Sequence, residues 1–316
     1  MSPFLLHGTT LALAWFLVFN AAVAAGAAFV SVWLARRARQ ASPGRWLALR
    51  LAPGVLSIAF VVIVFLPSYW RFEPREGVEG FDVTLTTLAV LAMAVLGSGV
   101  ARGVRAWRSA ARRIERWMRV SRPLPLAGVS MPAFAIDADA AVMALVGVLR
   151  PRLLITRPVL AALTDEELRA SVAHELGHWR ARDNLKRLAM RIAPDLWFAN
   201  GPARSMERRW AAASEHAADR GAGGSQRERC ALASALVKVA RLTPPATRID
   251  EPLSALLDGG DITARVQRLL DAPPSEAGPS RRWLALAITA PALIPAYAPL
   301  LRLVHSLTEQ LVNALP

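Results

Sequence analysis

Uncharged apolar residues form four long stretches in this chain. Three lie in the N-terminal third and one lies near the C-terminus: residues 11–35, 51–70, 83–101 and 284–301. Because a helix needs about 20 apolar residues to cross a bilayer, the pattern predicts four transmembrane helices. The fourth stretch carries prolines at four-residue intervals, which predicts a bent helix. A buried helix of a soluble core is the alternative, above all for the fourth stretch.

The residues between the third and fourth stretches are predicted to form one soluble domain. Apolar residues at helical spacing among arginines predict a basic amphipathic helix over residues 104–118, running along an anionic membrane surface. Three β-type runs predict a small sheet, and they are 133–137, 142–148 and 152–156. Helical patterns follow, from Thr164 into the residues beyond 180 and then over 203–220, 227–242 and 262–270. A proline-rich linker at 272–280 leads to the fourth span.

These patterns define the fold class. We expect an α-helical integral membrane protein with about four transmembrane helices and a mainly α, α+β soluble domain. The predicted parts are a three-helix membrane region, the soluble domain, and a fourth span with a short tail, over residues 1–102, 103–280 and 281–316. Thr164 and Glu167 form a capping-box pattern, which predicts where the first long helix of the domain begins.

Composition agrees with a membrane protein and excludes several other classes. Hydrophobic residues make up 54% of the 316 residues, which is too apolar for a disordered chain. The one cysteine, Cys230, excludes an intramolecular disulfide framework and a zinc site of four thiolates. The net charge of +14 first suggests nucleic-acid binding, but no recognition motif accompanies the arginines. The positions of the charges are therefore more informative than their sum.

The arginines alternate between loops in a way that predicts orientation. Residues 36–50 carry five arginines and no acid, residues 71–82 carry a net charge of −2, and residues 102–122 carry +7. Since basic loops stay on the cytoplasmic side, the N-terminus is predicted outside and the soluble domain inside. Arg281 and Arg282 place the start of the fourth span inside and the short tail outside. The first span is expected to be a retained anchor, because its charges follow the apolar run.

A five-residue motif in the first long helix of the domain carries metal chemistry. His174 and His178, four residues apart, lie on one helix face, so both imidazoles can bind one zinc ion. Glu175 lies about 100° around the helix from His174 and can reach a water held by the metal. The alternative is a surface helix whose histidines do not bind a metal.

A second cluster of candidate residues lies on the next helix. Glu215 can supply the third zinc ligand, and Asp219, one turn later, can accept a hydrogen bond from a ligand imidazole, with His174 the expected partner. His216 and Arg220 are candidates for stabilising a transition state, although His216 also fits a surface residue. Asp183, five residues after His178, is expected to be a hydrogen-bonding partner rather than a ligand.

These residues carry a resemblance to the membrane-embedded zinc peptidases of the BlaR/MecR type. It rests on LLITRPVLAALTDEELRASVAHELGHWRARDNL, on Trp197 and on EHAAD, and it covers about residues 130–272. HtpX-type membrane proteases are more distant relatives in the same gluzincin group. The resemblance extends to the topology, with three spans before the zinc domain and one after. The group consists of antibiotic sensor-transducers whose cytoplasmic zinc domain acts against a transcriptional repressor.

The resemblance implies a zincin-like metallopeptidase domain and a role for each motif residue. His174, His178 and Glu215 would bind zinc, Glu175 would be the catalytic base, and Asp219 would hold a ligand histidine. It also implies a structural role for Arg265, in the run ITARVQRLL, and pairing of an extended substrate with the strand at 142–148. The large extracellular sensor of the group is not expected here, because the chain ends about fifteen residues after the fourth span. A β-lactam signal is therefore not expected to be sensed in that way.

We therefore expect a membrane-bound zinc endopeptidase of the bacterial inner membrane, with one catalytic Zn²⁺. Its expected partners are a protein or peptide substrate and the lipid bilayer, without nucleic acid. The leading hypothesis is cleavage of a cytoplasmic regulator, such as a repressor, in signalling. The alternatives are constitutive quality control of membrane proteins and a non-catalytic transducer in which zinc is structural.

Overall fold

The structure is a computed structural model. It describes residues 3–37, 41–74, 82–196, 201–242, 254–255, 262–271 and 294–314. The predicted linker at 272–280, the arginines at 281 and 282, Trp197 and the first ten residues of the fourth span lie outside this part of the chain.

Among the described residues, three helical segments are long and apolar enough to cross a membrane. They are α1 (Pro3–Arg37), the segment Pro43–Phe72 and α4 (Val83–Arg119). The middle segment consists of α2 (Pro43–Phe60), a π-helical turn (Val61–Phe65) and α3 (Leu66–Phe72). Each is longer than its predicted apolar run. The helices also include polar residues before Leu51 and after Ala101, because the local sequence there has no signal that ends a helix.

Two predicted stretches belong to longer helices in the structure. The amphipathic stretch at 104–118 is helical, as predicted, and it is the C-terminal part of α4, which runs without a break from Val83 to Arg119. The fourth apolar stretch was expected to end at Leu301. In the described residues the helix there, α11 (Ile294–Ala314), continues through the part predicted as a tail and packs along α3, where Ser68 Oγ donates a hydrogen bond to the Leu301 carbonyl.

A five-stranded mixed sheet forms one wall of the domain. Its strands are β1 (Ser121–Pro123), β2 (Ala133–Ile136), β3 (Met143–Val146), β4 (Arg152–Thr156) and β5 (Ser254–Ala255), in the order β1-β2-β4-β3-β5. The pair β2–β4 is parallel, and the other pairs are antiparallel. The three predicted strands are present. The outer strands β1 and β5 were not predicted, because two or three residues carry no readable alternation.

Six helices complete the described part of the domain. They are α5 (Arg157–Ala162), α6 (Asp165–Ala181), α7 (Asp183–Ile192), α8 (Pro202–Ala222), α9 (Gln226–Leu242) and α10 (Ile262–Asp271). The predicted capping box begins α6, with both reciprocal hydrogen bonds between Thr164 and Glu167 present. The long helix expected to continue beyond residue 180 is instead divided, because Arg182 adopts a left-handed conformation with φ of 55°. Such a backbone costs about 1–2 kcal/mol outside glycine, and α7 begins at the next residue, Asp183.

The sheet has helices on both faces. Leu145, Leu153 and Ile155 pack with α6, α9 and α10 in the main core. Ala144, Val146 and Leu154 face the other way and pack against Ile114, Trp117 and Met118 of α4. The C-terminal part of α4 therefore belongs to the domain that carries the candidate site.

Buried contacts join the membrane helices to α7 and α8. Arg50 of α2 donates from Nε to Glu207 of α8 at 2.9 Å and from Nη2 to the Met190 carbonyl of α7 at 2.8 Å. On α4, a Cβ built at Gly99 would lie 2.4 Å from the Ile192 carbonyl oxygen. Only glycine allows this close approach, so α7 ends tightly against α4.

Candidate active site

His174 and His178 of α6 meet Glu215 of α8 at the centre of the domain. The two Nε2 atoms are 3.2 Å apart, and each lies 3.4 Å from an oxygen of Glu215. All three side chains are buried. The helices approach closely at Gly177, where a Cβ would lie 3.4 Å from Ala218 Cα. The glycine inside the motif thus helps to bring the three residues together.

The spacing of these atoms fits a zinc ion. Zn–N and Zn–O bonds of about 2.0–2.2 Å at a tetrahedral angle place neighbouring ligand atoms roughly 3.3–3.5 Å apart. The separations of 3.2, 3.4 and 3.4 Å are close to this value. Two imidazoles and one carboxylate form a donor set that zinc accepts, and three protein ligands leave one coordination position open. Among the described residues, His174, His178 and Glu215 therefore form a buried group that could hold a metal ion.

Carboxylates lie behind both histidines. Asp219 Oδ1 is 2.9 Å from Nδ1 of His174, and Asp183 Oδ2 is 2.8 Å from Nδ1 of His178. A proton held at each Nδ1 leaves each Nε2 with its lone pair toward the shared centre. Asp219 contacts the histidine expected from the sequence, and Asp183 is a hydrogen-bonding partner rather than a member of the ligand group.

Asp183 is itself fixed by neighbours from two helices. Ser214 of α8 donates to its Oδ2, and Lys186 Nζ lies 3.1 Å from its Oδ1. The left-handed turn at Arg182 directs Asp183 back toward His178. The sequence marked Asp183 by its spacing, but the contact with Ser214 depends on how α8 packs.

A buried arginine neutralises the carboxylates of α8. Arg265 of α10 donates to Asp219 from Nη2 at 2.6 Å and from Nε at 3.0 Å. Its Nη1 lies 3.2 Å from Glu215 Oε2. Its side chain is 2% exposed. The structural role expected for Arg265 agrees with these contacts, because it holds the residue behind His174 and touches the third ligand candidate.

Glu175 lies beside the metal site and against the sheet. Its Oε2 accepts a hydrogen bond from the Leu145 backbone N–H at 3.1 Å, and the side chain is fully buried. The backbone of β3 therefore positions this carboxylate. The same strand pairs with β5 through Ala144 and Leu145. The expected substrate-binding edge at 142–148 is thus covered along these two residues by another part of the chain.

The electrostatics of the site favour a cation. Burial alone lowers the pKa of His178, but Asp183 and Glu215 outweigh burial and raise it from 6.5 to about 10. The pKa of His174 is raised as well, since Asp219 and Glu215 outweigh its burial. Burial raises the pKa of Glu215, but the two histidines reverse this effect and lower it below the ordinary range. Burial is also the main reason that the pKa of Glu175 is raised.

The other two candidates lie away from the metal-ligand group. His216 is half-buried on α8, and Arg220 is exposed. Burial and the nearby charges of Arg220 and Arg268 lower the pKa of His216. In the described part of the chain, the arginine that contacts Glu215 and Asp219 is Arg265.

Asn184 is a site residue that the sequence did not indicate. Its Nδ2 donates to the carbonyls of Leu145 and Gly147, at 3.1 and 3.0 Å. It thereby ties the start of α7 to β3, next to the strand residue that contacts Glu175. Its position after Asp183 was the one available signal, but no spacing rule links an asparagine to a strand almost forty residues earlier.

Replacing Asp183 by asparagine is expected to weaken zinc binding about 10- to 100-fold, as for other partners of metal-bound histidines. The amide loses the charge that holds the Nδ1 proton of His178. The zinc dissociation constant should be measured by competition with a chelator, on the full chain in detergent. Asp137→Asn is the matched control, because Asp137 is exposed and pairs with Arg157. Equal dissociation constants for both variants would contradict the assigned role.

Comparison with known proteins agrees with this geometry. The model of peptidase family M48 matches residues 109–208, which include both histidines and Glu175 but end before Glu215. A protein described as "Protease HtpX homolog", from Thermoplasma volcanium, is 43% identical over 47 residues. That segment spans 15% of this chain and 15% of the relative. With the three apolar helices, these matches support a membrane-associated metallopeptidase of the M48 type.

Proposed function

We propose that this chain is a membrane-bound zinc endopeptidase in which His174, His178 and Glu215 bind the metal and Glu175 is the general base. The observation that carries the proposal is the group of three buried side chains beside a buried carboxylate: the two Nε2 atoms are 3.2 Å apart, and each lies 3.4 Å from a different oxygen of Glu215. A structural zinc site has four protein ligands. Here three candidate ligands lie next to a carboxylate held by β3, as hydrolysis requires.

The side chains divide the chemistry between them. A bound zinc ion supplies Lewis-acid polarisation of the scissile carbonyl and lowers the pKa of a water molecule. Glu175 takes a proton from that water at a carboxylate oxygen and passes it to the leaving amine. A raised pKa suits this exchange, because the carboxylate then accepts a proton more readily at neutral pH. Asp183 and Asp219 keep the histidines in the tautomer that binds metal.

The proposed location is a bacterial inner membrane, with the N-terminus outside and the catalytic domain in the cytoplasm. The support is the alternation of charge between loops, +5, −2 and +7, under the positive-inside rule. The proposed substrate is a cytoplasmic regulator such as a repressor, by resemblance to the BlaR/MecR type. The second candidate is constitutive quality control of membrane proteins. The segment similar to a protein described as "Protease HtpX homolog" supports a protease in either case.

The proposal is tested by comparing new N-terminal peptides in cells that express the wild-type chain or Glu175→Gln. Cut sites that occur only with the wild type are the expected result. One or two sites in a cytoplasmic regulator favour signalling, whereas many sites in membrane proteins favour the second candidate. Identical N-termini in both strains, with equal levels of the two proteins, would refute the enzyme and leave a non-catalytic transducer.

A further inference from the structure

A second group of residue types that bind metals lies among the membrane helices, where the proposed reaction takes no part. Glu73, which follows α3, faces His305 and Glu309, which lie four residues apart on α11. One ligand atom of each residue lies within 4.8 Å of those of the other two, and Glu73 Oε2 is 3.9 Å from His305 Nδ1. Among the described residues, the one other group of this kind is the proposed catalytic site.

The packing of α11 explains why His305 and Glu309 face the end of α3. Leu301, Val304 and Thr308 form a buried stripe along this helix. At about 100° per residue, His305 and Glu309 lie together on one side of the stripe. The other side carries exposed leucines, which are Leu300, Leu303, Leu307 and Leu311. The contacts that bury the stripe therefore set the rotation of α11 and hold the imidazole and the carboxylate beside Glu73.

Two of the three side chains are already held in place by the surrounding residues. The ring of Phe72 stacks on the imidazole of His305, with ring centroids 5.5 Å apart and an angle of 28° between the rings. The backbone N–H of Glu73 donates to the Tyr69 carbonyl at 3.0 Å, which fixes the end of α3. The side chains of His305 and Glu73 are 27% and 16% exposed, so an ion from solution can reach them. Such preorganisation lowers the cost of binding a ligand.

The donor set indicates which ions this group can bind. An imidazole nitrogen with two carboxylate oxygens suits Zn²⁺ and other divalent first-row metals, whereas Mg²⁺ and Ca²⁺ prefer oxygen ligands. Two carboxylates with a neutral imidazole carry two negative charges, which a divalent cation balances. Ligand atoms around zinc are about 3.3–3.5 Å apart, so the group would close by about 1 Å on binding. Partly exposed side chains allow such a movement.

We propose that Glu73, His305 and Glu309 form a second metal site, which binds a divalent transition metal such as Zn²⁺ and holds α11 against the end of α3. Under the proposed orientation, this end of the segment Pro43–Phe72 faces the outside, where residues 71–82 carry a net charge of −2. Arg50, which contacts α7 and α8, lies roughly 30 Å away along the same segment. The inference goes beyond the proposed function, because it holds whether or not the chain cleaves peptides.

The test counts metal ions and measures their affinities. The full chain in lipid nanodiscs is titrated with Zn²⁺ in competition with a chromophoric chelator. We expect two ions per wild-type chain, one bound tightly and one more weakly. His305→Gln and Glu309→Gln should each weaken the second ion at least about tenfold and leave the first unchanged, since even the partners of ligands contribute that much. His7→Gln is the matched control, because His7 lies on α1 outside the group.

Amide hydrogen exchange gives an independent measurement of the contact between α11 and α3. Zinc at a concentration that fills the second site should slow exchange in α11 of the wild type and of His7→Gln. The same concentration should have no effect on α11 in His305→Gln or Glu309→Gln. Equal melting temperatures of the metal-free proteins verify that the substitutions leave the chain folded.

Two outcomes would overturn the inference. If both His305→Gln and Glu309→Gln bind as many zinc ions as the wild type, with equal affinities, any second ion is an adventitious ion only. If an equal concentration of Ca²⁺ displaces the second zinc ion, negative charge holds it without the imidazole. No step measures hydrolysis, so a failure of the proposed peptidase function would leave these results unchanged.

Discussion

Replacing Glu175 by glutamine is expected to lower kcat/KM for peptide hydrolysis by about 10²- to 10⁴-fold, the usual contribution of a general base. Glutamine keeps the size of the side chain and an oxygen that can accept from the Leu145 N–H. The ligand side chains are unchanged, so zinc content should stay at one ion per chain. The measurement combines hydrolysis by the full chain in detergent with metal analysis of the same sample.

Glu166→Gln is the control for this experiment. Glu166 lies on the same helix, at its first turn, where it is exposed and pairs with Arg227. Full activity in this variant would show that losing a carboxylate from α6 is harmless by itself. Unchanged hydrolysis by Glu175→Gln would remove Glu175 from the mechanism. Loss of zinc along with activity would instead assign it a structural role.

Replacing Arg265 by methionine is expected to destabilise the metal-free domain by about 3–5 kcal/mol, as for one partner removed from a buried ion pair. Glu215 and Asp219 are buried, and both contact this guanidinium. Without it, two neighbouring buried carboxylates lose their arginine and keep the imidazoles of His174 and His178 as partners. At about 2–4 °C per kcal/mol, the Tm should fall by about 10 °C.

Zinc should offset part of this loss, because a bound cation also neutralises Glu215. Thermal unfolding in detergent, with zinc and with a chelator, measures both effects. Arg268→Met on the same helix is the control, since Arg268 is exposed. If Arg265→Met lowers the Tm no more than the control does, the buried charges are balanced by other groups.

Local patterns were sufficient for several elements of this fold. Long uncharged runs predicted the three candidate spans, because a bilayer selects length and apolarity regardless of tertiary contacts. Thr164 and Glu167 predicted the start of α6, because capping is settled within one helical turn. The spacing of His174 and His178 predicted adjacent imidazoles, since residues four apart lie on one helix face.

The partners of these residues were decided by packing. The contact of Arg265 with Glu215 joins residues fifty positions apart, and no local pattern predicts which basic residue is buried there. The left-handed backbone of Arg182 redirects Asp183, although arginine has no preference for that conformation. Asn184, two residues after Arg182, contacts β3 because of the same backbone turn. The strand β5 pairs with β3 although the two are more than a hundred residues apart in the sequence.

The sequence by itself thus determined the membrane helices, the helix that carries the motif, and the residue types able to hold a metal. The tertiary structure decided which carboxylate contacts each histidine and which arginine balances the carboxylates of α8. The physical reason is the distance along the sequence over which each interaction acts. Apolar length, capping and helical periodicity act over a few turns of one segment, whereas ion pairing and cavity shape depend on segments that meet only after folding.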